Sequence, residues 1–348
     1  MIILKAAILE SREKIVIKKL KVPECNTGEL LVKVKSCGIC RTDMKSFLSG
    51  QRDLKLPRIL GHEVSGIIEH VGLGVKMYKK GDRVQISPGI PCGNCEFCKK
   101  GIDNLCEAIK IMGFNYDGGF AEYILVPANG VKNGIVTIIS DNISFEEASM
   151  AEPLACSINM QELLNLNNNR TVVIFGLGRL GILNAKLAKL KGSSNIIGVE
   201  KNRQRLLNAK KFEFDYIIDS SKADVVKEIL SLTSGKGADV VIPCCPEYEA
   251  MNTGIQVLTK RGKLGFFSGL ITENCRNIDF NLIHYKEISV IGGYGAAIKH
   301  SKEALDFITK DSIRVSNMVT KIIGLNDIKK GIDMVKNMTE LSVVINFD

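Results

Sequence analysis

The 348 residues contain no tryptophan, aromatic side chains make up 6%, and histidine occurs only four times. No stretch approaches the ~20 consecutive apolar residues that cross a bilayer. The apolar start of MIILKAAILESREK carries no cleavable signal pattern. A cytoplasmic chain with no membrane partner is the expectation. The formal net charge is +9, yet Lys and Arg are scattered and cluster only in pairs such as Lys79-Lys80, Lys99-Lys100 and Lys329-Lys330. Without a basic block interleaved with aromatics, nucleic acid is not the expected partner. The basic excess is then either a response to an anionic small ligand or without function. Internal repeats and low-complexity linkers are also missing. The length exceeds one ordinary core, so two domains are expected.

Cysteine, by contrast, is plentiful. Of the eleven, Cys92, Cys95, Cys98 and Cys106 fall in the run PCGNCEFCKKGIDNLC, spaced C-x2-C-x2-C-x7-C. Four thiolates so close in sequence can converge on one ion without long-range folding, and they form the ligand set of a closed, tetrahedral structural zinc site. Gly93 and Gly101 let the loop wrap, and Pro91 stiffens its entry. Outside a secretory context the other cysteines are expected as reduced thiols. Cys25, Cys37, Cys156, Cys244, Cys245 and Cys275 read as small apolar or near-site residues.

The first ~150 residues are rich in Gly, Pro and short alternating runs. Leu30–Lys35, Val64–Val71 and Gly81–Ile86 read as strands of a barrel or sandwich. The pattern changes near residue 145, where Ser144 and Glu147 form a capping box ahead of a helix. Arg170–Phe175 is the continuous apolar run of a buried parallel strand. Helical periodicity follows over Leu180–Lys191 and Arg203–Lys211. Further strands are expected at Asn195–Val199, Tyr216–Ile218, Ala238–Ile242 and Gly262–Phe267. This alternation predicts an α/β, doubly wound parallel sheet. Beyond residue 290 the alternation stops, leaving helices over Ser301–Thr309 and Leu325–Asn337 and a last strand over Leu341–Phe347.

Gly176-Leu177-Gly178-Arg179-Leu180-Gly181 directly follows a strand and opens a helix, the context that gives G-x-G-x-x-G its meaning. The first glycine permits a tight turn, the second lets backbone approach a pyrophosphate, and the third lets helix and strand pack closely. The helix N-terminus offers amides and positive dipole to the phosphates. Glu200 ends the next strand, where a carboxylate accepts from ribose hydroxyls and repels a 2′-phosphate. NAD is favoured over NADP, although Lys201, Arg203 and Arg205 pull the other way.

A second metal constellation is dispersed. Gly61-His62-Glu63 lies between Cys37-Gly-Ile-Cys40-Arg-Thr42-Asp43 upstream and Ala151-Glu152-Pro153-Leu154-Ala155-Cys156 downstream. Cysteine, histidine and carboxylate together can form a zinc site with one position open to water or substrate. A buried histidine with a neighbouring Glu and a capping Asp is the competing reading of the same residues. His70, His284 and His300 lack comparable neighbours and read as structural or surface.

In order along the chain, CGICRTD, GHE, the four-cysteine lobe, GGFAEY, AEPLACSIN, GLGRLG and an acidic strand end resemble the zinc-dependent alcohol dehydrogenases of the medium-chain dehydrogenase/reductase superfamily. The Glu-Pro motif, standing where the alcohol branch places a third zinc cysteine, resembles the polyol and threonine dehydrogenases. The resemblance implies a GroES-like, β-rich catalytic domain over 1–152 with a zinc lobe at about 88–110. It further implies a Rossmann domain over 153–290, and a return to the catalytic domain over 291–348. It implies two zinc ions per subunit. Cys40 rather than Cys37 and His62 would ligate the catalytic one, with Glu63 and Glu152 sharing the remaining role, one directly and one through water. Thr42 would take the substrate's proton and Asp43 would orient a ligand. Arg205 would lie beside the adenine, and Pro243-Cys244-Cys245 and Phe267-Ser268-Gly269 would flank the nicotinamide. Where relatives often carry histidines, this chain has Lys45 and Asn159, so Lys45 or the cofactor ribose would pass the proton on. The implied activity is NAD-dependent oxidation of a secondary alcohol on a polyol, sugar, sugar phosphate or amino alcohol. The alternatives are a simple alcohol or threonine-type dehydrogenase, or a non-catalytic zinc- and NAD-binding protein. Relatives assemble as dimers or tetramers, which implies a homo-oligomer.

Overall fold

The computed structural model describes residues 3–51, 53–270 and 278–347; Cys275 lies outside them. The described chain divides into two units, one formed by Met1–Ala155 and Ala296–Asp348, the other by Cys156–Gly295. No helix among the described residues is long and apolar enough to cross a membrane.

The first unit is β-rich. Its main sheet runs in the order Val136–Ile138, Arg83–Ile86, Glu63–Val71, Leu30–Ile39, Val343–Asn346, Lys321–Ile323, with Tyr123–Val126 also pairing Leu30–Ile39. A smaller sheet joins the hairpin Ile3–Ser11/Lys14–Lys21 to Arg58–Ile59. Alternating positions such as Val32, Val34, Val64 and Val84 fill one apolar core with Leu9, Phe120 and Ile345. Leu30–Ile39 runs past the alternating stretch expected from sequence because its end pairs with Glu63–Val64 on one side and Val343–Asn346 on the other. The helix expected from Ser144 forms as Phe145–Ser149. Ser144 Oγ accepts from Glu147 N at 3.1 Å and Ser144 N donates to Glu147 Oε2 at 2.8 Å.

The second unit is a six-stranded, wholly parallel sheet in the order Tyr216–Asp219, Asn195–Glu200, Thr171–Phe175, Ala238–Pro243, Leu258–Phe266, Ser289–Gly292. The chain moves outward one way from Thr171–Phe175, then returns beside it with Ala238–Pro243. The strand order therefore reverses there, and the carboxyl ends of these two strands frame a crevice. Val172–Ile174 and Val241–Ile242 are fully buried, since both sheet faces are covered. Leu258–Phe266 begins earlier than its apolar run suggested. Its early residues run from buried Leu258 through exposed Lys260 and Arg261, whose charges interrupt the apolar run.

Candidate metal centre and dinucleotide site

The strand Leu30–Ile39 delivers Cys40 as the N-cap of the helix Arg41–Ser49, whose first turn holds Thr42 and Asp43. Asp43 is fully buried. Its Oδ2 accepts from Cys40 N at 2.9 Å and its Oδ1 from Gly61 N at 3.2 Å. His62 Nδ1 lies 3.3 Å from the same Oδ1. One carboxylate thus ties the Cys40 turn to the Gly61–His62 segment and holds the imidazole by its Nδ1 edge, leaving Nε2 for a ligand. Cys40, His62 and Glu63 each offer a ligand atom, all within 4.8 Å of one another. Burial opposes charge on His62, but the Asp43 carboxylate beside it, with Cys40, outweighs burial and holds the imidazole well above its ordinary range.

Glu63 is fully buried at the start of Glu63–Val71, directly opposite Gly38. A methyl group at position 38 would stand 2.0 Å from Glu63 Oε2. The carboxylate fills the space a side chain there would need. Thiolate, imidazole and carboxylate, with Asp43 behind the imidazole, suit zinc. Cys37, by contrast, is buried in the apolar core, and burial pushes its thiol well up. Glu152 stands in the first turn of the helix Ala151–Leu163. Thr42 is half-buried and Lys45 exposed on the same helix.

The sulfurs of Cys92, Cys95, Cys98 and Cys106 also converge. Cys95–Cys98 and Cys92–Cys98 are 3.5 and 3.9 Å apart. Four sulfurs at the zinc–thiolate distance would be about 3.8 Å from one another, so the cluster already has nearly the spacing of a loaded tetrahedral site. Backbone amides aim at it: Cys92 N donates to Cys106 Sγ at 3.2 Å and Cys95 N to Cys92 Sγ at 3.3 Å. The Cys98 amide, with that of Glu107, lowers the Cys95 thiol to about 6, while burial raises Cys98 to about 12. The lobe is pinned from outside, with Asn129 and Asn133 both donating to Pro91 O at 2.9 and 3.0 Å. Asp103 Oδ1 accepts from Ile298 N at 3.0 Å and so caps the helix Ile298–Thr309.

In the second unit, Gly176 has φ +86° at the turn after Thr171–Phe175, and Gly178 caps the helix Arg179–Leu190. A methyl group at Gly181 would lie 2.0 Å from Gly176 O, which sets how closely helix and strand pack. Glu200 is buried and does more than the sequence suggested. Its Oε2 accepts from Leu177 N at 2.9 Å, and its Oε1 from Lys201 N and Asn202 N, both at 2.9 Å. The carboxylate therefore braces the glycine loop. Arg205 lies over Gly178, with its Nη1 3.8 Å from Glu200 Oε2. Cys244 and Cys245 follow the strand Ala238–Pro243 at the crevice, and burial raises both thiols. Ser268 and Gly269 follow Leu258–Phe266, and Gly269 faces open space. A glycine turn, a helix N-terminus and a braced acidic strand end fit a dinucleotide.

Of the remaining histidines, His70 is exposed, His284 stacks edge-on against Tyr285, and His300 accepts from Ala297 N. Sequence reasoning missed Gly38 and Asp103. Nothing local marks either, because the partner of each lies on a distant segment.

Residues 26–134 match the family profile "Alcohol dehydrogenase GroES-like domain", and residues 180–310 match "Zinc-binding dehydrogenase". The chain is 32% identical to a sorbitol dehydrogenase of Bacillus subtilis, over 91% of this chain and 89% of the relative. It is 36% identical to an L-threonine 3-dehydrogenase of Pyrococcus furiosus, over 79% of this chain and 78% of the relative. A structure from Sinorhizobium meliloti, solved bound to NADP, superposes with TM-score 0.92 at 29% identity and 100% coverage of both chains.

Proposed function

Because this chain belongs to the zinc-binding dehydrogenases that carry an alcohol dehydrogenase GroES-like domain, we propose that it moves a hydride between NAD and a secondary alcohol or ketone of a polyol, sugar or amino alcohol. The convergence of Cys40, His62 and Glu63 in front of Asp43 carries the reading. A drifted binding protein would have no need to keep both the ligands and the carboxylate that orients one of them. Zinc held by Cys40, His62 and a Glu63 or Glu152 carboxylate would lend Lewis acidity to the substrate oxygen, and NAD would accept the hydride.

The chain's own groups do the rest. Asp43 fixes the His62 ring through Nδ1. Thr42, half-buried in the first turn after Cys40, takes the proton of the substrate hydroxyl. Lys45, exposed one turn on, or the cofactor ribose passes it to solvent. Gly178, Arg179, Leu180 and Gly181 would hold the pyrophosphate at the helix N-terminus, while Gly176 and Leu177 shape the turn with their own amides given to Val199 O and Glu200 Oε2, and Arg205 would lie beside the adenine. Ser268 and Gly269 flank the nicotinamide. The Glu200 charge sets NAD above NADP.

The four-cysteine lobe holds the second zinc and is structural, since four sulfurs leave no open position. Thiolate sites of this kind suit a reducing compartment, which supports a cytoplasmic location. A homo-oligomer, dimer or tetramer, is supported by the outer strand Ser289–Gly292 of the six-stranded sheet, where Val290 is 49% exposed. The preceding helix Phe280–Lys286 exposes Phe280 and Tyr285 by 74% and 77%. Apolar surface beside a strand whose outer side has no partner strand among the described residues is the kind that a second copy covers.

The test is NADH formation by the zinc-loaded protein across polyols, sugar phosphates, threonine and simple secondary alcohols. Turnover is expected with a vicinal diol or amino alcohol. No turnover with any of them, despite bound zinc and NAD, would sink the proposal.

A further inference from the structure

We propose that Asn184 is a positioning residue for the dinucleotide crevice, acting through a buried polar hub and touching no ligand itself. The inference rests on the dinucleotide reading above. Asn184 is fully buried in the helix Arg179–Leu190, between two similarly buried side chains of the helix Ala151–Leu163, Ser157 and Gln161. Its Nδ2 donates to Leu180 O at 2.9 Å and to Ser157 Oγ at 3.2 Å, with Cys244 Sγ at 3.6 Å in the same direction. Gln161 Nε2 in turn donates to Asn184 O at 2.8 Å and Oδ1 at 3.1 Å.

These contacts are placed where the crevice is set. Leu180 belongs to the glycine turn. Cys244 follows the strand Ala238–Pro243 on the other side of the strand-order reversal, and its amide donates to Phe175 O at 2.7 Å. One amide therefore connects the first turn of the phosphate-binding helix to the loop facing it across the crevice. A side chain mid-helix gains nothing for helix formation by being Asn, and an apolar residue would fill this interior without needing partners. Burying an amide that must be satisfied instead fixes its neighbours in one arrangement.

The experiment compares Asn184→Leu with Gln161→Leu in the zinc-loaded protein. NADH binding is read by fluorescence titration, KM separately for NAD and alcohol, and stability by thermal unfolding. The hydrogen bonds of the Gln161 amide go to Asn184 rather than to Leu180 or Cys244, so its variant should lower the melting temperature and leave NADH affinity within about twofold of the parent. Asn184→Leu should weaken NADH binding about tenfold and raise KM for NAD, with KM for the alcohol unchanged. Should Asn184→Leu not fold, Ser157→Ala removes one partner only, and about threefold weaker NADH binding is expected of it. Equal NADH affinity in the parent and Asn184→Leu, or in the parent and Ser157→Ala where that is the variant that folds, overturns the proposal. So does equal weakening by Gln161→Leu. A parent protein that binds no NADH fails the dinucleotide reading itself, a separate result.

Discussion

Glu63 is a buried acid that owes its place to a missing side chain. Gly38 faces it across the strand pair and leaves the room its carboxylate occupies. Gly38→Ala should fold, because Gly38 has no positive φ and the first atom its methyl would meet is the end of the Glu63 side chain. The added methyl would drive Glu63 Oε2 away from Cys40 and His62. Metal analysis is expected to find the four-cysteine zinc retained and the other bound about 10- to 100-fold more weakly, with activity falling in step. Full occupancy of both sites with unchanged kcat would remove Gly38 from the account. Asp43→Asn probes the same site from behind the imidazole. The amide can no longer take bonds on both oxygens, so binding of that one zinc, again with the lobe zinc retained, should weaken by a similar factor.

At the scale of elements, the lobe and the helix Ile298–Thr309 are joined by Asp103. Cys95→Ser should lose the lobe zinc, and unfolding should begin at a lower temperature while the Cys40 site still loads. Asp103→Ala keeps all four sulfurs and the His300 bond to Ala297 N, but takes the carboxylate from the Ile298 N–H. It should cost about 1 kcal/mol, or about 2–4 °C in melting temperature for a unit of this size. A melting temperature identical to the parent's would show that water caps Ile298 equally well. The same elements show what could be read without coordinates. The parallel strands Thr171–Phe175 and Ala238–Pro243 announce themselves because burial on both faces demands an unbroken apolar run. The four-cysteine lobe does so because its ligands are sequence neighbours. Pairs such as Arg58–Ile59 and Gly89–Ile90 are too short to carry any periodicity, and only their partners define them as strands. The helix Arg41–Ser49 is hidden because a cysteine stands at its cap, where Ser, Thr or Asp would be the signal. The Cys40–His62–Glu63 set is visible only as residue types, since its convergence depends on the register of Gly38 against Glu63.

For the whole molecule, the edge at Ser289–Gly292, which has no outer strand among the described residues, bears on assembly. Val290→Lys places a charge at the centre of that edge, a substitution that blocks strand-to-strand association without touching either metal site. Sedimentation should find the parent as a dimer or tetramer and the variant as a smaller species with both zinc ions still bound. A parent that sediments as a monomer would discard the assembly reading and leave the chemistry untouched.

The strand Val343–Asn346 pairs with Leu30–Ile39, the strand that delivers Cys40. During synthesis, residues 156–295 leave the ribosome as one uninterrupted stretch and can close their sheet on their own. The first unit cannot, because its central strand waits for a neighbour made some three hundred residues later. Until residues 343–346 emerge, the lobe can take its metal, while the strand carrying Gly38 up to Cys40 stands open along one side. On the proposed function, the lobe would therefore take its ion before the Cys40 site, whose supporting strand pair closes late.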